Sequence, residues 1–254
     1  MTIIETINGI KHIFATASYS DLPIYIKQYE NDKRAGVISL VTAAKKKQLT
    51  YDNEKLRLLD MSKFETIYQD KGYINIAGID EVGRGPVAGP VLSSAVILRP
   101  GIDLRLLGIN DSKKLSEKKR NFFYDLIQSE AIAIGIGIVE PDIIDKINIL
   151  EATKLSMKYA VENIKKKPDC LLIDAITLHD INIHQRPIIG GDTKSVSIAA
   201  ASIIAKVTRD YIMEDYHKIY PNYNFLKNKG YGTKEHMQAI ANYGLTPIHR
   251  RSFL

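Results

Sequence analysis

The stretch from Ile74 to Leu98 does most to limit how this chain can fold. Ile74–Ile79 is apolar and rich in strand-forming residues, and it runs into Asp80-Glu81. The Gly/Pro-rich segment EVGRGPVAGP follows, and a second apolar, strand-like run covers Leu92 to Leu98. Two such runs joined by turn chemistry predict neighbouring strands, so an all-helical fold is excluded. Downstream, the texture alternates. Ser116 can cap a helix over Glu117–Ser129, AIAIGIGIV from Ala131 reads as a buried strand, and a helical pattern spans Ile149–Ile164. Cys170–Ile173 predicts a central strand, Ser195–Tyr216 a helix, and a last helix opens near Thr233. Strands first, then strand–helix alternation, predict an α/β or α+β sheet with helices packed on it.

The leader has a different pattern. Ile7, Ile10 and Phe14 recur at helical spacing, as do Val37, Leu40, Val41 and Ala44, and Ser62-Lys63-Phe64-Glu65 has the form of a capping box. Lys45–Lys47 reads as a solvated helix end, with a DNA-contacting arm as the sharper alternative. We place the boundary at Lys71-Gly72, giving a helical extension over 1–71 and a larger domain over 72–254. Of the +6 net charge, only +1 lies before Lys71, so a nucleic-acid footprint is expected mainly in the second part.

Apolar residues at 45% and charged residues at 25% exclude disordered and collagen-like chains. The single cysteine, Cys170, excludes a disulfide framework and suits a reducing compartment. The opening MTIIETINGIK lacks a basic start, so no secretory leader is expected. The longest uncharged apolar run, Val87–Leu98, is roughly a dozen residues against the ~20 of a membrane span, and it contains Gly, Pro and Ser. A soluble, cytoplasmic protein with no membrane partner is expected.

The chemistry gathers at strand ends. Asp80 and Glu81 close one apolar run, Asp174 closes another, and Asp192 follows Gly190-Gly191. Adjacent strand residues point to opposite faces, so Asp80 and Glu81 can share a site only where the strand ends or bulges. Like charges a few ångströms apart raise one another's pKa unless divalent cations sit among them, and oxygen ligands of this kind suit Mg²⁺ or Mn²⁺. Each acid taken alone is as readily a helix cap or a lysine partner. Gly83 and Gly85 allow a ligand close to the backbone, and Arg84 can meet phosphate with a fork of donors. Gly83, Gly85 and Ala88 also match the dinucleotide fingerprint, with Asp103 at the right distance. That reading fails on context, because Pro86 and Pro90 lead into a strand where the fingerprint needs a helix.

Lys113, Lys114, Lys194, Lys206, Arg209, Lys229, Lys234, Arg250 and Arg251 are candidate phosphate contacts, each with a solvated side chain as the plainer reading. Tyr231, between glycines, can stack on a sugar or base. His236 and His249 could assist proton transfer, but no partner for either is visible, and a surface or packing role is the plainer one.

These residues together carry a resemblance. IAGIDEVGRGPVAGPV (76–91), NDSKKLSEKKR (110–120), LLIDA (171–175), GDTKSVSIAAASIIAKVTRD (191–210) and GYGTKEH (230–236) closely resemble bacterial ribonuclease HII. The likeness covers about Tyr73 to Leu254, and the leader resembles the N-terminal extension of some members. It implies a ribonuclease H-like mixed β-sheet flanked by helices. It implies an endonuclease that cleaves the RNA strand of RNA–DNA hybrids and nicks 5′ to ribonucleotides embedded in duplex DNA, leaving 3′-hydroxyl and 5′-phosphate ends. Carried over motif by motif, Asp80, Glu81, Asp174 and Asp192 are the catalytic metal carboxylates. Gly83, Arg84 and Gly85 sense the ribose 2′-hydroxyl, Tyr231 packs on that sugar, and Lys113 contacts a phosphate. The arginine at position 84 favours HII over the related HIII family.

Mechanistically, two ions are expected to clamp the scissile phosphate, with Asp80 bridging them, Glu81 and Asp174 on opposite sides, and Asp192 on the water side. Gly83→Ala or Tyr231→Ala is expected to weaken nicking far more than it alters the fold. The working enzyme is expected to be a monomer. The rival classes are a nucleotide-cofactor enzyme and a non-catalytic hybrid-binding module; metal-dependent nicking excludes both.

Overall fold

The computed structural model describes residues 5–254. Residues 1–4, where the leader opens without a basic start, lie outside them. The chain divides into two compact units, Met1–Leu59 and Asp60–Leu254.

The first unit contains α1 (Ile7–Thr16), α2 (Leu22–Tyr29) and most of α3 (Ala35–Met61). Thr6 caps α1 by accepting from the Gly9 amide, and Ile10, Phe14, Leu22, Tyr29, Val37, Val41 and Ala44 form the core. Helical spacing therefore identified five of these buried residues, Ile10, Phe14, Val37, Val41 and Ala44. Lys45–Lys47 lies in the middle of α3 and not at a helix end. The sequence offers no break there, because Leu49, Leu56 and Leu58 continue the pattern beyond it.

The second unit begins with α4 (Lys63–Asp70), and here the capping-box reading is corrected. Ser62 makes no side-chain cap. Glu65 is buried instead, and its Oε1 accepts from Ser195 Oγ at 2.6 Å and from the Ser197 amide at 3.0 Å. Tyr68 of the same helix packs with Ile76, Cys170, Leu172, Ile188 and Ile198.

A five-stranded mixed sheet follows, in the order β3-β2-β1-β4-β5. Strand β2 (Val91–Ile97) pairs antiparallel with both β1 (Ile76–Val82) and β3 (Ala133–Val139), whereas β4 (Cys170–Asp174) pairs parallel with β1 and β5 (His184–Ile188) parallel with β4. The sequence reading misses β5, whose HQRPI is polar and contains a proline; only an edge strand tolerates that. Helix α5 (Glu117–Glu130) is capped by Ser116 as expected. Helix α6 (Pro141–Asn163) starts earlier than expected but kinks at Asn148, which has a φ of 66° and accepts from the Leu150 and Glu151 amides. The periodicity therefore located the second limb of α6. Helices α7 (Val196–Ile219), α8 (Phe225–Asn228) and α9 (Lys234–Tyr243) complete the unit.

Strand period decides which acids face which layer. Ala77, Ile79, Leu171 and Ile173 pack with Met157 and Ala160 of α6. Ile76, Cys170 and Leu172 pack with Ile198 of α7. Asp80 and Asp174 share the parity of the second set, so both point to the α7 side. On that side Gly78 lies so close to α7 that a Cβ would sit 2.1 Å from the Ser197 carbonyl carbon.

Candidate active site

Strand β1 is longer than its hydropathy suggests, and Asp80 and Glu81 lie within its final residues. The parallel pairing with β4 ends at Ile79–Ile173, while the antiparallel pairing with β2 continues to Val82. The two acids therefore extend past the last parallel pair, into the notch where β4 delivers Asp174. There Asp80, Glu81 and Asp174 each offer a carboxylate oxygen, and these oxygens lie within 4.8 Å of one another. Asp80 is buried, and its Oδ1 accepts the Glu81 amide at 2.8 Å. Asp174 Oδ1 accepts the Gly191 amide at 2.8 Å, which ties β4 to the Asp192 turn.

The electrostatics follow from this crowding. Burial raises the Asp80 pKa well above the usual carboxylate range, the Glu81 and Asp174 charges add to the rise, and a hydrogen bond from Ser202 offsets part of it. Burial and Asp174 also push Glu81 up, against the pull of Arg84, whose Nη1 is 3.5 Å from Glu81 Oε1. Three oxygen donors, closely set and destabilised by mutual repulsion, fit a hard divalent cation.

Asp192 is not part of that trio. It sits in a short 3₁₀ turn, Gly191–Thr193, half-buried just before α7. Burial raises its pKa, followed by the charges of Asp111 and Asp174, while Lys113 and Lys114 oppose the rise. Asp111 thus faces Asp192, a neighbour the sequence reading did not single out. It precedes the Lys113-Lys114 pair by two residues, and that spacing was the available signal. Lys113 and Lys114 themselves are exposed.

The Gly83–Gly85 loop joins two strands, and no helix opens there, so a dinucleotide turn is excluded. Gly83 has a φ of +92°, and a Cβ on it would meet Arg209 Nε at 2.4 Å and the Pro90 carbonyl at 2.7 Å. Gly83 therefore carries a structural demand of its own, so Gly83→Ala is expected to disturb the fold along with any effect on nicking. Gly85 is open, with only the Tyr231 ring 3.7 Å from where its Cβ would be. The structure brings Gly85 and the exposed Tyr231 face to face. Arg84 projects outward, with its side chain 47% exposed.

Two arginines read as phosphate contacts are internal clamps. Arg209 donates to the carbonyls of Pro90 (3.0 Å), Lys229 (2.9 Å) and Ala88 (3.1 Å). Arg250 donates to those of Gly89 (2.9 Å), Arg84 (3.1 Å) and Gly83 (2.6 Å). Burial pulls their pKa values down to about 10 and about 9, so both remain charged at neutral pH. A signal for Arg209 existed, since it lies four residues from both Ala205 and Met213 on the buried stripe of α7. Lys206 pairs with Asp210, Lys229 with Glu214, and Lys194 donates to the Ile189 carbonyl. Lys234 and Arg251 are exposed. His236 and His249 are buried and bonded to one another, away from the acids.

Residues 77–254 match the family profile described as Ribonuclease HII, and residues 6–69 match that of the Ribonuclease HII N-terminal domain. The ribonuclease HII of Clostridioides difficile is 50% identical over 250 residues, covering 98% of this chain and 97% of that one. The Bacillus subtilis enzyme is 53% identical over 229 residues, covering 90% and 89%. Among solved structures, the PCNA:RNase HII complex from Archaeoglobus fulgidus aligns at 26% identity with a TM-score of 0.60, covering 71% of this chain and 95% of that one. Bst-RNase HIII in complex with Mn²⁺, at 18% identity and a TM-score of 0.54, covers 71% and 67% and shares the fold.

Proposed function

The chain belongs to the ribonuclease HII family, and from that premise we propose that it nicks duplex DNA 5′ to an embedded ribonucleotide as well as cleaving RNA–DNA hybrids. Ribonuclease H activity follows from the family membership itself. The reading is carried by one observation, the convergence of Asp80, Glu81 and Asp174 to within 4.8 Å. A bound duplex would present its scissile phosphate to these acids, which fits a cation-dependent hydrolysis leaving a 3′-hydroxyl and a 5′-phosphate.

We assign Asp80, Glu81 and Asp174 as cation ligands, with Asp192 completing the set from the 3₁₀ turn. Two bound Mg²⁺ or Mn²⁺ ions would supply water activation and charge neutralisation at the leaving oxygen; a related HIII protein is described in complex with Mn²⁺. Around them, the chain's own residues position the substrate. Arg84 can hold a phosphate against the pocket while balancing Glu81. Gly85 leaves room for the ribose edge, whose 2′-hydroxyl separates RNA from DNA. The Tyr231 ring closes on that sugar, and Lys113 meets a neighbouring phosphate without reading sequence. The helical extension, with its boundary near residue 71, adds substrate affinity. A monomer in the reducing cytoplasm suits the lone Cys170, which is buried and whose thiol is pushed up to about 12. No helix among the described residues is long and apolar enough to cross a membrane.

The test is a duplex carrying one ribonucleotide, incubated with and without Mg²⁺ or Mn²⁺. A single cation-dependent nick 5′ to the ribonucleotide is expected. Binding without nicking in either metal refutes the catalytic reading, and a nick elsewhere refutes the junction specificity.

A further inference from the structure

Tyr231 is held by a line of hydrogen bonds that leads away from the acids into the segment Thr246–Arg250. Its carbonyl oxygen lies 2.9 Å from His236 Nδ1, and His236 Nε2 lies 3.0 Å from His249 Nε2. His249 Nδ1 in turn lies 2.9 Å from the Thr246 amide and 2.8 Å from its hydroxyl. A carbonyl can only accept and an amide N–H can only donate. The first end therefore puts the His236 proton on Nδ1, and the other end leaves His249 Nδ1 bare. In neutral rings the two assignments agree where they meet, with Nε2–H of His249 donating to the bare Nε2 of His236. One proton per ring satisfies every ring nitrogen, and one more would set two donors face to face. Both rings are buried against Tyr223 and Phe225, and burial keeps them neutral, pulling His249 down to about 4. Arg250, next along the chain, grips the carbonyls of Gly83 and Arg84. One segment thus sets both sides of the gap between Tyr231 and Gly85.

We infer that His236 and His249 are positioning residues for ribonucleotide recognition, a neutral two-ring relay that fixes Tyr231 against the Gly83–Gly85 loop. The inference rests on the assignment of Tyr231 to the ribose.

The experiment compares His249→Phe, His249→Gln, Tyr231→Ala and the double variant His249→Phe/Tyr231→Ala on a single-ribonucleotide duplex. Phenylalanine keeps the ring packing and removes the donor, while glutamine restores a donor to His236 Nε2. The phenylalanine protein should lose about tenfold to a hundredfold in kcat, as expected when a contacting group is slightly misplaced. Its KM should stay within about twofold, because phosphate contacts position the duplex. Glutamine should recover most of the loss, and the double variant should be no slower than Tyr231→Ala alone, as for residues acting through one another. Native kcat in the phenylalanine protein, equal losses with phenylalanine and glutamine, or additive losses in the double variant overturns the relay while leaving Tyr231 its role. Native nicking by Tyr231→Ala overturns the Tyr231 assignment itself. In the unmodified protein, ring-nitrogen NMR shifts should show His236 protonated on Nδ1 and His249 on Nε2. Any other tautomer pair, or a doubly protonated ring at neutral pH, refutes the relay even if the phenylalanine protein does not fold.

Discussion

The acidic notch and the cradle beside it answer opposite physical demands. In the notch, three carboxylates are pressed together with one partly exposed arginine as counter-charge, and burial makes the Asp80 and Glu81 charges costlier. In the cradle, two buried guanidinium groups and two neutral imidazoles have their donors matched to carbonyls and to each other. The notch is destabilised without a cation, and the cradle is complete without a ligand. The proposed ion-capturing notch keeps its charge unbalanced, whereas the cradle behind the proposed sugar contact satisfies itself internally.

Breaking the notch should cost activity and leave the fold intact. Asp80→Asn is expected to lower nicking by at least about a thousandfold, ~4 kcal/mol of lost transition-state stabilisation, with hybrid binding retained. Single-turnover kinetics and a gel-shift titration check both halves, and near-native turnover would refute the assignment. Breaking the cradle should do the reverse. Arg250→Met strands three carbonyls and should cost about 3 kcal/mol of stability, visible as a lower urea midpoint; an unchanged midpoint would show that the guanidinium is dispensable.

The glycines sharpen the contrast. Gly83→Ala puts a Cβ onto the Pro90 carbonyl at a positive φ, so about 2 kcal/mol of destabilisation is expected. Gly85→Ala should shift stability by less than about 0.5 kcal/mol, as at an open position, yet slow nicking of a single ribonucleotide. The reverse ranking in thermal melts would undo the division between clamp and reader. A smaller effect concerns pH. The Asp80 pKa is raised, so the folded, metal-free protein holds that proton more tightly than the unfolded chain. Its stability must then fall as pH climbs from the ordinary carboxylate range through the raised value. Metal-free Asp80→Asn, which lacks that titration, should be the more stable protein at neutral pH. The gap should close in mild acid or on adding Mn²⁺, and a gap that ignores both would contradict the direction of the shift. Smallest of all, Lys113→Ala should reduce the slope of log affinity against log salt by about 1.

The notch was legible in the sequence because strand endings leave a mark: apolar runs stop abruptly at Asp80 and Asp174. The cradle was not. Arg250 acts on carbonyls more than 160 residues away, and the His236–His249 bond joins two different segments, so neither leaves a periodic mark. Arg209 did leave one, on the buried stripe of α7, and the exposed-cation reading passed over it. Glu65 misled in a different way. Its spacing from Ser62 fits a local cap, but the carboxylate reaches Ser195, which caps α7, and Ser197 in its first turn, 130 and 132 residues on. Strand β5 was hidden by Pro187 and by its polar face. Element types in the core strands and long helices followed from pattern, whereas the register of β1 beyond Ile79 followed from its partners.

The bare backbone at Gly78 sets a gauge. With no side chain between them, β1 and the first turn of α7 touch directly, so the strand carrying Asp80 and the helix that follows Asp192 can come no closer. The adjustment that would bring Asp192 to the proposed cation set then falls to the few bonds of residues 190–194, a short tether beside that contact.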